Sequence, residues 1–293
     1  MGFERCHPAV NLLYFSSVIA GTLGFFHPVY LLISYVCAAC YAVWRGGGRA
    51  LAFVLGLLPC IALFAMYYSS YTHFGVTVLR HNFVGNNMTL EALVYGAALG
   101  LSAAGVMVWF SCVYAVFSSD KVVYLFGRVS PKLSLFLAIL LRLVPRIKGE
   151  ARRINTARNG VGRGAGQGNV LRRAGNALAV FSMLITWTAE SLVTASESMA
   201  CRGGRLRGRT AFSLYRFDHR DRVYVIATFT CLTVTAMAAA LGQGEMQYGP
   251  RLVFPPLTAM SYVFFAGYAA LCLMPLGLEL WTAYRFAKAR RAL

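Results

Sequence analysis

Ala50-Leu51-Ala52-Phe53-Val54-Leu55-Gly56-Leu57-Leu58-Pro59-Cys60-Ile61-Ala62-Leu63-Phe64-Ala65-Met66-Tyr67-Tyr68 carries no charged side chain. A helix of this length rises about 28 Å, close to the roughly 30 Å of a bilayer's hydrocarbon core. The stretch is apolar on every face, so as a helix it has to be buried, in protein or in lipid. Four further runs are equally free of charge: Cys6–Trp44, Ala92–Ser119, Val223–Gly244 and Leu252–Leu278. One such run could be a core helix. Several of them, in a chain that is 58% hydrophobic and 13% charged, predict a polytopic all-α membrane protein. A soluble domain has about twice that share of charge.

Cys6–Trp44 is long enough for two short crossings, and His27-Pro28 punctuates its middle. Proline disfavours helix at the residue before it. The spans expected are therefore about 10–26, 29–44, 50–70, 92–117, 223–242 and 257–281, six in all. This divides the chain into 1–118 (spans one to four), 119–222, and 223–293 (spans five and six with a tail).

The charges orient these spans. With both termini in the cytoplasm, 26 of the 28 Lys and Arg lie inside, and Arg80 and Arg251 alone lie outside. Cytoplasmic loops concentrate Lys and Arg, so this orientation is expected and its inverse is not. The outer loops, about 71–91 and 243–256, carry His73, Asn82, Asn86, Asn87 and Pro255-Pro256. The formal net charge of +18 thus reflects a loop bias and a cell-membrane location.

Residues 119–222 hold 19 of the 28 basic residues. They do not form a polybasic tail. Lys132–Lys148 is apolar around most of a helix, with Leu133, Phe136, Leu140 and Val144 among its residues. Such a helix must be covered by something. Ala174–Arg202 repeats Leu178, Phe181, Ile185, Thr188, Leu192, Ala195 and Met199 at three- and four-residue spacing, as an amphipathic helix does. Asn159–Asn169, rich in glycine, reads as a flexible loop between the two.

A short pattern occurs twice here: Arg158-Asn159-Gly160-Val161-Gly162-Arg163-Gly164 and Arg202-Gly203-Gly204-Arg205-Leu206-Arg207-Gly208. Both read R-x-G-x-x-R-G, and each follows a helical run, Ala157 preceding the first and Ala200-Cys201 the second. Glycine supplies the left-handed residue that ends a helix, and arginine suits the negative end of the helix dipole. Two helices ending on a guanidinium fit acidic grooves on a protein partner, because arginine bonds a carboxylate through two parallel donors. The same residues also suit plain C-capping in a basic loop.

Ser196-Glu197-Ser198-Met199-Ala200-Cys201-Arg202-Gly203-Gly204, with Arg207-Gly208-Arg209-Thr210 behind it, resembles the second signature of the transmembrane T component of energy-coupling factor transporters. Asn155-Thr156-Ala157-Arg158-Asn159-Gly160 resembles the first signature. His7-Pro8-Ala9-Val10-Asn11-Leu12-Leu13-Tyr14-Phe15 with His27-Pro28-Val29-Tyr30 is similar to that family's N-terminus. The signatures typically read Ala-Arg-Gly. Here Asn159 is inserted in the first, and Cys201 replaces alanine in the second.

The resemblance implies a non-catalytic scaffold. In that family, cytoplasmic coupling helices end in the two arginine motifs and dock on two ABC-type ATPase subunits. The membrane part and the coupling helices hold a separate small membrane subunit that binds a vitamin or a transition-metal ion. Arg158 and Arg202 would be the coupling residues, flanked by Ala157, Asn159, Gly160, Ala200, Cys201, Gly203 and Gly204.

The other motifs point away from enzymes. Lys121, Lys132, Lys148 and Lys288 lack a preceding glycine, so there is no Walker phosphate loop. ATP hydrolysis is expected from partners, and no cofactor is expected. His7, His27, His73, His81 and His219 form no i, i+4 pair, which disfavours a metal enzyme. Cys37-Ala-Ala-Cys40 lies alone in an apolar run and reads as small packing residues. Two other classes remain open. A nucleic-acid or anionic-lipid module would interleave aromatic and polar residues with its charges; apolar helices stand here instead. A membrane-embedded transferase would need paired acids, and Asp120, Asp218 and Asp221 are its candidates.

Overall fold

The computed structural model describes residues 2–72, 74–81, 87–204, 206, 215–250, 252–253 and 258–291. Arg205, Arg207, Gly208, Arg209 and Thr210 of the second motif's tail lie outside the described residues, as do His73, Asn82, Asn86, Arg251, Pro255 and Pro256. Among the described residues, the protein is all-α apart from one small hairpin and an isolated bridge between Gln247 and Val253. In chain order the helices are α1 (Pro8–Gly24), α2 (Pro28–Tyr71), α3 (Leu90–Val116), α4 (Ser119–Val129), α5 (Pro131–Gly160), α6 (Val170–Cys201), α7 (His219–Ala240) and α8 (Ala259–Arg291). Between α2 and α3, β1 (Val78–His81) pairs antiparallel with β2 (Asn87–Thr89), Val78 opposite Thr89.

Among the described residues, five helices are long and apolar enough to cross a membrane: α2, α3, α6, α7 and α8. These are the helices of a multi-pass membrane protein. They differ from the expected spans at two places. α1, at 17 residues, is shorter than a full crossing. α6, expected as an amphipathic helix of the cytoplasmic region, is as apolar as a span, and no residue of its apolar window is buried in the chain.

α2 spans 44 residues, but Gly47 in its middle has φ 60° and ψ −144°, a non-helical conformation open to glycine. The chain reverses there. Tyr35 Oη donates to Val54 O at 2.9 Å, although 19 residues of straight helix would hold them about 28 Å apart. Residues 28–46 and 48–71 are therefore two helices back to back, joined without a loop between Arg45 and Arg49. His7 and His27 begin α1 and α2, each ring accepting a backbone N–H across the following proline, from Ala9 and from Val29.

The chain divides into two compact units, residues 1–118 with 215–293, and residues 119–214. In the first, α2 packs along α3 and α8, and α1 along α3 and α7. The core is aromatic: Trp109, Tyr14, Tyr30, Tyr41, Tyr268 and Phe3 are fully buried. Several of its polar atoms are bonded across helices. Trp109 Nε1 donates to Ser34 Oγ (2.9 Å), which meets Thr22 Oγ1 (2.7 Å), and Tyr14 Oη donates to Cys272 O (3.1 Å). In lipid, such bonds and close backbone contact replace the hydrophobic drive that holds soluble helices together. Close contact is supplied by Gly96 and Gly100 of α3, spaced G-x-x-x-G. A methyl group at Gly96 would lie 3.1 Å from the Ala65 backbone, and one at Gly100 would lie 3.3 Å from the Ile61 side chain.

In the second unit α4 packs on α5, with Ser134 Oγ donating to Val123 O at 3.2 Å. α5 runs on well past the expected Lys132–Lys148 segment. α4 covers only part of it: Phe136 and Val144 remain exposed.

Candidate functional site

The two arginine motifs end α5 and α6. Both helices close with the same hydrogen bonds. At α5, Gly162 N–H donates to Asn159 O (3.1 Å) and Arg163 N–H to Arg158 O (3.0 Å). At α6, Gly203 N–H donates to Ala200 O (3.0 Å) and Gly204 N–H to Met199 O (2.8 Å). Gly162 (φ 75°) and Gly203 (φ 80°) are the left-handed residues. Each end is a Schellman motif, which satisfies carbonyls that the helix would otherwise leave open.

The sequence repeat and the structural repeat are out of step. Arg158 matches Arg202 in the motif, 44 positions apart, but Gly162 matches Gly203 in the caps, 41 positions apart. Arg158 lies inside α5, its carbonyl closing the cap, whereas Arg202 is itself the C-cap residue of α6. Three residues of helix are about 4.5 Å and nearly a full turn. The two guanidiniums thus stand at different heights and headings relative to otherwise identical ends. The cause is local: Gly160 keeps helical geometry, and the turn waits for Gly162.

The surroundings differ as well. Arg158 is half-buried; its Nε donates to Arg163 O (3.1 Å), and its Nη1 reaches Met183 Sδ of α6 (3.9 Å). Arg202 is exposed. Farther back on α5, Arg146 lies 5.3 Å from the centre of the Trp187 ring of α6, a cation–π contact that reinforces the pair. Of the flanking residues, Ala157, Asn159, Gly160 and Cys201 are exposed. Ala200 supplies a cap carbonyl, and Gly204 leaves no space for a side chain, since a methyl group would meet Met199 O at 2.6 Å.

The glycine-rich connection between the helices is cross-braced, contrary to the expected flexible loop. Ala165 N–H donates to Asn155 Oδ1 (2.9 Å), Gly164 N–H to Gln167 Oε1 (3.1 Å), and Asn176 Nδ2 to Gly164 O (3.2 Å). Asn169 caps α6 through Val170 N–H. Side-chain amides do here what backbone pairing would do elsewhere. The composition suggested flexibility because the glycines stand out, while the four amide side chains beside them hold the loop.

A group missed in the sequence sits at one end of the first unit. Arg45 Nη2 lies 2.8 Å from Glu4 Oε2 and donates to Ala115 O at 3.2 Å. Arg45 Nη1 lies 3.6 Å from Glu279 Oε1, which also accepts from Tyr41 Oη at 3.3 Å. Glu279 is the sole acid after Glu245, the one signal that was available. Among the described residues, no three His, Cys, Asp or Glu gather as a metal site. A shallow cavity of about 710 Å³ near the β-hairpin end is lined by Tyr68, Phe74, Tyr95 and Tyr248 and, among the described residues, by no charged side chain.

No family model and no curated protein matches this chain.

Proposed function

We propose that this protein is the transmembrane scaffold subunit of an energy-coupling-factor-type uptake transporter. It crosses the cell membrane six times, with both termini and residues 119–222 in the cytoplasm. It would couple ATP hydrolysis by two ABC-type ATPase subunits to movement of a separate membrane subunit that binds a vitamin or transition-metal ion. The observation that carries this reading is the pair of identically capped helix ends, each bearing one arginine of the repeated motif. The exposed apolar surface of α5 and α6 supports it, because Phe136, Val144, Leu178 and Phe181 are left for partners to cover.

In this reading Arg158 and Arg202 each enter an acidic groove on one ATPase. Truncation leaves a partner carboxylate unpaired in a largely dry contact, at about 2–5 kcal/mol, or roughly 30- to several-thousand-fold in affinity. The test is copurification of the ATPase pair, with substrate uptake, for Arg158→Ala, Arg202→Ala and the double variant. Each single variant should lose most of the complex and the double variant nearly all of it. Arg163→Ala should assemble normally, since Arg163 contributes its carbonyl and not its side chain to the Arg158 contact. Normal yield and uptake in the double variant would refute the proposal.

A further inference from the structure

The chain leaves the first unit after Ser118 and re-enters it at Tyr215. One short segment near the N-terminus holds both connections. Residues Phe3–Arg5 form a 3-10 turn, and Phe3 is fully buried against the rings of Tyr14 (5.3 Å), Phe15 (5.9 Å) and Tyr224 (5.5 Å). Glu4, next to it, pairs with Arg45, and the same Arg45 nitrogen donates to Ala115 O in the last turn of α3. The departing chain is thereby tied to the N-terminal turn and, through Arg45 and Glu279, to α8.

The returning chain is held three residues on. His7 N–H donates to Asp221 Oδ1 at 3.1 Å, and Asp221 Oδ2 accepts from Asp218 N–H at 3.1 Å in the capping box that starts α7. The His7 ring stands edge-on to Phe217 (5.6 Å) and lies 6.5 Å from Tyr215. Tyr224, one turn into α7, touches Phe3 and donates to Met274 O of α8 at 2.7 Å.

We infer that residues 3–7 are a keystone through which force on residues 119–214 reaches the membrane helices, with Arg45 the positioning residue for the exit and Asp221 for the return. A connection transmits displacement only where its root is stiff. Fraying ends would absorb the motion locally, whereas roots locked by buried rings and an ion pair pass it to whole helices. That force arrives from ATPases rests on the proposed function; the shared anchoring of both roots does not.

The two layers are tested separately. Hydrogen exchange of the full chain in detergent reads the joint itself. Arg45→Gln should speed exchange at 113–118 by about three- to tenfold, the worth of one lost hydrogen bond, and leave 215–222 unchanged. Phe3→Ala, which touches neither connection covalently, should speed both, and Phe3→Leu should restore much of the protection. In the complex with the ATPases, Arg45→Gln and Phe3→Ala should lower uptake by about three- to thirtyfold, with assembly and ATP hydrolysis within about twofold of wild type. Unchanged exchange at both connections in Phe3→Ala would overturn the keystone. So would full uptake despite loosened roots, or uptake falling only in step with assembly. Should Phe3→Ala fail to fold, Arg45→Gln decides, and unchanged exchange at 113–118 in that variant would overturn the keystone. If the wild-type chain captures no ATPases, the proposed function fails, and hydrogen exchange still judges the joint.

Discussion

Gly160 and Gly162 are two residues apart and stand in opposite conformations. Gly160 is helical, with open space where a side chain would be; Gly162, at φ 75°, is the left-handed cap. Gly160→Ala should therefore stabilise the end of α5 by about 0.5–1 kcal/mol, since alanine costs less helix entropy than glycine. Gly162→Ala should destabilise it by about 1 kcal/mol or more, because the methyl group opposes a positive φ. Gly203→Ala should behave like Gly162→Ala, since Gly203 holds the same place at α6. Hydrogen exchange at residues 155–165 and 196–204 reads all three; equal effects of Gly160→Ala and Gly162→Ala would contradict the cap assignment. The repeat of arginines and glycines was legible in the sequence. Which glycine turns the chain was not, because R-x-G-x-x-R-G contains several, and the hydrogen bonds that choose one form only when the helix ends.

At the scale of elements, α2 shows how one residue replaces a loop. Its expected halves, 29–44 and 50–70, were readable from two apolar runs around Arg45 and Arg49. The reversal rests on Gly47 alone. Any other residue there carries about 1–3 kcal/mol of backbone strain, so Gly47→Ala should lower the melting temperature of the detergent-solubilised protein, while Gly48→Ala should be mild, as nothing crowds that position. Tyr35→Phe removes the bond to Val54 O that closes the hairpin and should cost about 0.5–1.5 kcal/mol. If Gly47→Ala and Gly48→Ala melt alike, the hinge does not lie at Gly47. α6 teaches the converse: its three- and four-residue spacing fixed a helix, yet spacing carries no information on what covers its apolar residues.

For the whole molecule, the strongest constraint is the 26-to-2 distribution of basic residues. It predicts that Val76, exposed ahead of the β-hairpin, faces outward and that Gly166, exposed in the braced loop, faces the cytoplasm. In a background stripped of the eight native cysteines, an impermeant maleimide added to intact cells should label Val76→Cys and spare Gly166→Cys. Labelling of position 166 from outside would invert the topology. The sequence by itself determined that the protein is helical, that its long apolar runs suit a membrane, and that two basic helix ends share a pattern. These follow from composition and short-range spacing, which are local in the chain. Only the tertiary structure decided that the two arginines hold different cap positions, that α2 folds back at Gly47, and that Glu4, Arg45 and Glu279 meet. Glu4 and Glu279 lie almost a chain length apart, and packing, which brings distant residues together, leaves no periodic trace in the sequence.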